Sequence, residues 1–391
     1  MERKGISAKP ELIRRINRTL ILDLLRREGP LSRSDIAARS GMSLPAVSRA
    51  IADLIADSWV SEIGAGTSSG GRRPILMQFN SRAGFVVGVD VTPYRLLGGV
   101  ADLSGDLVVT RSEVPVTLGQ PLLDQLTTLI KWLTEKAGVV GGMLTGIGLS
   151  VPGIPDRTGN RVGWAPALEW QDLPVGSILQ ERFDCPVVVQ NDVDAMLLGE
   201  QWRGAAAGVR YAVAVNVGSG VGAAVLLDGG LYRGRDGAVG EIGHWLTEPE
   251  QPPRRKGFGQ LESRTAITFL ARKWAAQAGW KLGENGDVMA AMVAKALEGD
   301  PGTRKLVLEM AGWIGVVVAN LVTLLNPEVV ILGGEALRLE QLILPVISQI
   351  VDSHSPYPAP VVPAQLGDHS AVIGAVYGVL QGQRSSVSYE Q

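Results

Sequence analysis

The sequence predicts an α/β chain in two parts: a small basic module built on two helices joined by a tight turn, and a large body of alternating strands and helices. Three observations carry that prediction. Residues 1–82 hold 14 Lys/Arg against 8 Asp/Glu, and the remainder 23 against 31, so a module at +6 precedes a body at −8 in a chain whose net charge is −2. The stretch "DIAARSGMSLPAVSRAIADLI" (35–55) sets two amphipathic segments on either side of a glycine. From Phe85 onward, short β-branched apolar runs recur between longer stretches of helical period, the pattern of stacked α and β layers.

Length and composition bound the reading further. The 391 residues allow more than one domain, and 46% hydrophobic with 19% charged residues describes a globular chain. The start "MERKGISAKPELIRR" is charged and lacks the apolar stretch of a secretory signal. The longest apolar run, Trp313 to Leu325, falls short of the roughly 20 residues that span a bilayer and contains Asn320, so it reads as a buried helix. Cys185 is the sole cysteine, which excludes an intramolecular disulfide and any multi-cysteine zinc site. A cytoplasmic protein without a membrane segment is expected.

Within the module, Leu12, Ile13, Ile16, Leu20, Leu24 and Leu25 follow a helical period that Gly29-Pro30 ends. Ser32 is placed to cap the next helix, with Asp35 in the acidic position of a capping box. Gly41 supplies the turn. Ser43 is placed to cap a helix whose Val47, Ile51, Leu54 and Ile55 form a buried stripe. In helix–turn–helix geometry the second helix enters the DNA major groove, so Ser43, Leu44, Pro45, Ser48 and Arg49 would meet base edges and phosphates. The following "WVSEIGAGTSSGGRRPILMQFN" reads as two short strands around a Gly/Ser-rich tip bearing Arg72 and Arg73, the wing of a winged helix. A plain three-helix bundle with a hairpin remains the alternative; the agreement of cap, turn, hairpin and charge favours double-stranded operator DNA as partner.

The body's strands fall at "FVVGVDV", "LLGGVADL", "GIGLSVPG", "PVVVQNDV", "YAVAVNVG", "GAAVLLDG" and "EVVILGG", with helices such as "LLDQLTTLIKWLTEKAG" and "VDAMLLGEQWRGAAAG" between them. The run "HSPYPAPVVPA" (354–364) reads as a connection and an edge strand. Two strand–turn–strand units, "VGVDVTPYRLLGGVADLSG" and "NVGSGVGAAVLLDGGLYRG", resemble the paired phosphate-clamping turns of the actin-like ATPase fold. The whole chain resembles the ROK-family (repressor, open reading frame, kinase) transcriptional regulators, the group of sugar-responsive repressors such as those for xylose and N-acetylglucosamine. The matching segments, in the family's order, are the helix–turn–helix with its "GGRRP" wing, "VPGIPD", "QNDVDAMLLGE", "VGSGVGAAVLLDGGLYRG", "GEIGHW", "LES", "NPEVVILGG" and "GDHSAVIGAVYGVL". The expected organisation is a winged helix-turn-helix domain over 1–82, a two-lobed actin-like sugar-kinase body over 83–382, and a disordered tail over 383–391.

Two departures from the family pattern bear on chemistry. Where ROK kinases carry Gly-Gly-Thr after the first acid, this chain has Thr92-Pro93-Tyr94. Proline offers no N–H, and the tyrosine ring takes up space, so ATP is not expected as a cofactor and neither is phosphoryl transfer. The family's structural zinc needs three cysteines beside His244; those places hold Pro253, Arg255 and Gln260, so no zinc is expected.

The resemblance also implies a sugar clamp at Asn191, Asp192, Glu241, His244 and Glu262, with Asp192 in the place of the kinase general base and acting here as a hydrogen-bond acceptor. Each has another reading: Asn191 and Asp192 as a helix cap, His244 as a satisfied interior histidine, Glu262 as a helix N-terminal acid. The family's sugar-contacting Pro-Asn-Leu reads Pro166-Ala167-Leu168, which leaves the sugar open. Trp164, Trp170 and Trp245 lie near these motifs in sequence; a ring could stack on a sugar's apolar face, but core packing is the favoured reading of any single one. A homodimer or homotetramer is expected on symmetric operators. The rival expectations are a sugar kinase with an appended DNA-binding domain, and a regulator answering a partner protein with a vestigial cleft.

Overall fold

The computed structural model describes residues 10–65, 73–140, 142–156, 158–248, 258–280 and 287–385. The N-terminal module comprises α1 (Pro10–Glu28), β1 (Leu31–Ser32), α2 (Arg33–Ser40), α3 (Leu44–Ala56), β2 (Val60–Ala65) and β3 (Ile75–Phe79), its strands ordered β1-β3-β2. Ile21, Leu25, Ile36, Val47, Ile51, Leu54 and Met77 close its core. The capping box forms as expected: Asp35 N donates to Ser32 Oγ at 3.2 Å, and Ser32 N to Asp35 Oδ2 at 3.0 Å. Gly41 holds φ at 70°, where a side chain is penalised.

Two expectations for the module need correction. Ser43 occupies the N-cap position of α3 but its side chain caps nothing. Pro45, two residues on, has no N–H to offer it. The buried face of α1 is set by Ile21 and Leu25, whereas Ile13, Ile16 and Leu20 are exposed. The helix overhangs its small bundle, so only its C-terminal half finds a core to face.

The body begins at residue 84. Its first lobe contains β4 (Gly84–Val91), β5 (Leu96–Asp102), β6 (Leu107–Glu113), α4 (Gln120–Val140), β7 (Met143–Val151), β8 (Ile154–Pro155), β9 (Val162–Ala165), β10 (Trp170–Leu173), α5 (Val175–Phe183) and β11 (Val187–Asn191). Then α6 (Asp192–Arg203) leads to a second lobe of β12 (Ala212–Val217), β13 (Val221–Leu227), β14 (Gly230–Leu231), α7 (Gln260–Thr265), α8 (Ile267–Ala278), α9 (Val288–Glu298), α10 (Pro301–Leu325), β15 (Val329–Gly333), α11 (Glu340–His354) and β16 (Val361–Pro363), and α12 (Ser370–Ser385) closes the chain. The two five-stranded sheets run β11-β7-β4-β5-β6 and β14-β13-β12-β15-β16. In each, an antiparallel meander is followed by two parallel strands added beside its first strand. The lobes are two copies of one topology, which the paired strand–turn–strand units anticipated. The strands β4 and β15 are buried throughout, hence their apolar sequences, which Asp90 alone interrupts in β4.

The helix α12 returns to the first lobe. It lies so close to the sheet that a Cβ on Gly88 would fall 2.6 Å from the Val372 carbonyl, and one on Gly148 2.1 Å from that of Ala375. Against α6 the approach is closer: a Cβ on Gly374 would fall 1.7 Å from the Ala195 carbonyl, and one on Gly199 2.1 Å from that of Ser370. The buried Glu200 carboxylate fastens the pair, accepting from Ala205 N, Gln365 N, Leu366 N and Ser370 Oγ. Helical structure continues to Ser385, three residues into the stretch expected to be a disordered tail. That helix is secured by backbone bonds four residues back and does not end where the sequence turns polar; residues 386–391 lie outside the described part. By length and composition α10 could cross a membrane, being longer than the apolar run at its C-terminal end. Leu306, Val307, Met310, Ile314, Val317, Val318 and Val322 make it the central core helix of the second lobe.

Candidate functional site

The cleft between the lobes gathers residues from four elements. Asn191 ends β11, the point at which an edge strand of the first sheet delivers its C-terminus to a helix start. Its Oδ1 accepts from Val193 N at 2.9 Å and Asp194 N at 3.2 Å, and its Nδ2 donates to the Gly153 carbonyl at 3.0 Å. The capping role is therefore real and uses most of the amide's capacity. Asp192 opens α6. Glu241 precedes and His244 ends the single helical turn 242–244, folded back after β14. Glu262 sits in the first turn of α7, where Oε1 accepts from Val221 N at 3.1 Å and Oε2 from Gly259 N at 3.3 Å. These bonds fix the acid beneath the second glycine turn.

All five predicted clamp residues line one cavity, together with Trp164, Pro166, Ala167, Asn216 and Phe258. The rings of Trp164 and His244 are 6.3 Å apart at 44°. Of the three tryptophans singled out, Trp164 alone lines this cavity. Trp170 is buried with its indole N–H on the Gly119 carbonyl, and Trp245 packs on the second lobe's core. Asn216 and Phe258 carried no usable sequence signal, since neither belongs to a pattern with distinctive chemistry.

Burial, reinforced by Asp90 and then Glu241, pushes Asp192 up to about 8. A carboxyl raised this far would present an O–H donor at neutral pH, where the sequence reading takes Asp192 as an acceptor. Burial raises Glu241 and Glu262 as well, opposed at Glu241 by His244 and at Glu262 first by the Val221 and Gly259 N–H groups. Burial also lifts Asp194 to about 6 against the pull of Arg233, 3.4 Å away. The arrangement is a set of convergent donors and acceptors beside an aromatic wall, suited to hydroxyl groups on a partly apolar ring.

The nucleotide side of the cleft has a different character. In the turn after β4, Tyr94 N and Arg95 N both donate to Thr92 Oγ1, at 3.3 and 2.9 Å, while Thr92 N donates to the Arg95 carbonyl at 2.9 Å. With Pro93 having no N–H, the turn's amides are committed to the turn itself. Tyr94 reaches Thr268 of the opposite lobe. At the second turn, Gly218 N donates to the Gly220 carbonyl at 2.9 Å. The Glu335 carboxylate lies against Gly218 so closely that a Cβ there would fall 2.1 Å from it. An acid thus stands over a loop that in a kinase would hold phosphate. Asp90, bonded by Ser150 Oγ at 2.6 Å, is raised to about 6 by burial.

Of the three cysteine positions of the family's zinc loop, 253 and 255 lie outside the described residues. Gln260 lies within them, and its Oε1 accepts from Thr247 N at 2.9 Å and Glu248 N at 3.1 Å. An amide thereby ties down the segment after His244. In the module, Ser43, Pro45 and Arg49 are exposed and Ser48 is partly exposed along the start of α3. Arg73 is exposed at the foot of the wing, and Arg72 lies outside the described residues.

A helix–turn–helix with a wing, joined to a duplicated two-lobed body whose cleft is lined by carboxylates, an amide and an imidazole, defines a DNA-binding regulator on a sugar-kinase-like scaffold. Residues 86–381 match the ROK family and residues 14–61 a winged helix-turn-helix DNA-binding domain, so the chain belongs to the ROK family. It is 31% identical over 397 residues to the xylose repressor of Caldicellulosiruptor bescii, covering 97% of this chain and 98% of that one. It is 26% identical to the transcriptional dual regulator NagC of Escherichia coli K12, covering 93% and 92%. Among solved structures it resembles a ROK family transcriptional regulator homologous to the E. coli MLC protein, with a TM-score of 0.78 at 22% identity over 96% of this chain and 98% of that one. A Streptomyces griseus ROK glucokinase in complex with glucose and AMPPNP matches with a TM-score of 0.67 at 25% identity over 76% of this chain and all of the other.

Proposed function

We propose that this chain is a sugar-responsive transcriptional repressor of carbohydrate-utilisation genes, acting in the cytoplasm as a homodimer or homotetramer on a symmetric operator. The reading rests on one observation above the others: Asn191, Asp192, Glu241, His244 and Glu262, scattered over seventy positions of sequence, line a single cavity. The likeness to repressors named for xylose and N-acetylglucosamine supports a sugar as the occupant. Asp192 donates to one hydroxyl at neutral pH, Glu241 and Glu262 accept from others, and Trp164 offers a face to the ring's C–H groups. Replacement of the family's amide by Ala167 leaves that side of the sugar without a polar partner.

No phosphoryl transfer is assigned. A phosphate between the two turns would meet amides already bonded within the first turn and the Glu335 carboxylate at the second, and neither favours an anion. No zinc is assigned to the loop after His244, since Gln260 supplies a crosslink of its own. Arg49, Arg72 and Arg73 supply DNA backbone or groove contacts, with Ser43, Pro45 and Ser48 at the groove-facing start of α3. The test is a thermal-shift panel of aldopentoses, aldohexoses and N-acetylhexosamines, run beside a kinase assay with Mg-ATP on the same sugars. A stabilising sugar that is not phosphorylated supports the reading, and phosphorylated product with turnover overturns it.

A further inference from the structure

We propose that α6 and α12 form one lever that carries the state of the sugar cleft to the DNA-binding module, and that Trp202 is the contact through which the module responds. The proposal rests on the reading of the cleft as a sugar site, and its own content lies at the far end of α6.

The lever starts in the cleft. Asp192, the first residue of α6, lines the cavity. The next turns bear on the second lobe: a Cβ on Gly222 would fall 2.9 Å from the Val193 side chain, and one on Gly333 2.1 Å from Met196 Sδ. Farther along, α6 is seated on α12 through Gly199 and Gly374 and fastened by Glu200, while α12 lies directly on the first-lobe sheet. A helix held by both lobes must follow any change in their relative position. Its 12 residues span about 18 Å, enough to leave the cleft altogether.

The lever ends under the DNA-binding module. The Trp202 ring packs on Tyr377 of α12, centroids 5.0 Å apart. Its edge presses on the β5–β6 turn, where a Cβ on Gly105 would fall 1.8 Å from Cη2. Arg203 grips the same turn, bonding the Asp106 carboxylate and the Ser104 carbonyl. That turn also holds the exit of the module, because Leu103 N donates to the Ser81 carbonyl at 2.9 Å. Trp59 and Phe79 of the module pack into one apolar cluster with Trp202, Leu103, Val376 and Val379. The Arg26 guanidinium of α1 lies 4.3 Å over the Phe79 ring, extending the contact toward the helices. A shift of α6 therefore displaces a ring wedged between the body and the module's base. Packed interfaces of this kind respond by repacking between discrete arrangements, not by stretching. A sugar that prefers one lobe arrangement then biases the module.

The experiment compares the full-length wild type with Trp202→Ala, Trp202→Phe and Gly105→Ala. The duplex is one selected in vitro by the wild type, and the sugar is whichever aldopentose, aldohexose or N-acetylhexosamine gives the wild type its largest thermal shift. Thermal shift reads sugar binding, and fluorescence anisotropy reads duplex affinity with and without that sugar. In the wild type the sugar should change duplex affinity by about 5- to 150-fold, the usual range of such coupling. Trp202→Ala should keep the sugar-induced thermal shift and bind the duplex without sugar, while the sugar's effect on duplex affinity falls below about twofold. Gly105→Ala, whose new methyl group drives the turn off the ring, should weaken the coupling in the same way, and Trp202→Phe should restore most of it. These two variants carry the comparison even where the alanine protein does not fold. Wild-type coupling in both Trp202→Ala and Gly105→Ala overturns the lever and leaves the sugar site standing. A wild type that no sugar stabilises removes the sugar reading, and the lever with it.

Discussion

Replacing Asp192 by asparagine should change how the protein's stability depends on pH. In an unfolded chain an aspartate titrates near 3.9, whereas burial in the cleft, with Asp90 beside it, pushes Asp192 up to about 8. Between those values the native state holds a proton that the unfolded state lacks. This group's contribution is therefore complete below about pH 4 and is lost as pH rises through about 8. From pH 6 to pH 8 the loss integrates to about 2 kcal/mol, an upper bound because Asp192 is partly exposed. Asp194 and Asp90, each raised to about 6, add losses mostly at lower pH and are common to both proteins. Asp192→Asn keeps the shape of the side chain and cannot ionise, so its stability should fall less across the same interval. Urea unfolding at pH 6, 7 and 8 on both proteins reads the difference directly. Parallel curves for wild type and variant would show that Asp192 ionises normally, and the donor role assigned to it would be withdrawn.

Other expectations follow from the remaining sites. Arg49→Ala and Arg73→Ala should each weaken duplex binding across all sequences and reduce the slope of log affinity against log salt by about one; an unchanged slope removes that arginine from the interface. Purified protein should contain well under one zinc per chain by elemental analysis, and Gln260→Ala should cost about 0.5–1.5 kcal/mol by freeing the Thr247 and Glu248 amides. Stoichiometric zinc would contradict the assignment. Mg-ATP should give no calorimetric binding signal to the wild type, and restoring Gly-Gly-Thr at 92–94 should not create one while Glu335 remains; micromolar binding to the wild type would refute the account of the two turns.

The topology was legible because each lobe repeats a strand–turn–strand unit whose apolar runs are short and bounded by glycine. The clamp residues were named through the family resemblance, since Asn191 and Asp192 also fit a cap, His244 an interior histidine and Glu262 a helix-end acid. Several features depend on contacts that sequence spacing does not express. The elevated Asp192 depends first on burial and then on Asp90, which arrives from the opposite end of the first sheet's chain path. Glu335 looked like an ordinary residue after Gly333-Gly334, and only folding sets its carboxylate against Gly218. The period of α1 named the helix and included Leu25 of its core face, but not the exposure of Ile13, Ile16 and Leu20, because periodicity reports an apolar stripe and not how far the rest of the module extends to cover it. Ser43 had the right residue type for a cap, and Pro45 withdrew one of the N–H groups it would have bonded.

The central claim is that a sugar in the interlobe cleft alters the hold on DNA, and duplex affinity with and without sugar, measured on wild type and Glu241→Gln, tests it most directly. Glu241 lines the cleft and lies far from the DNA-binding module in sequence. Losing its carboxylate leaves sugar hydroxyls poorly paired, at a cost of about 1.5–3 kcal/mol, or roughly ten- to a hundredfold in sugar affinity. The account predicts equal duplex binding by both proteins without sugar, and a sugar response in the variant displaced to concentrations ten- to a hundredfold higher, on the order of that loss. Superimposable sugar responses in the two proteins would contradict it.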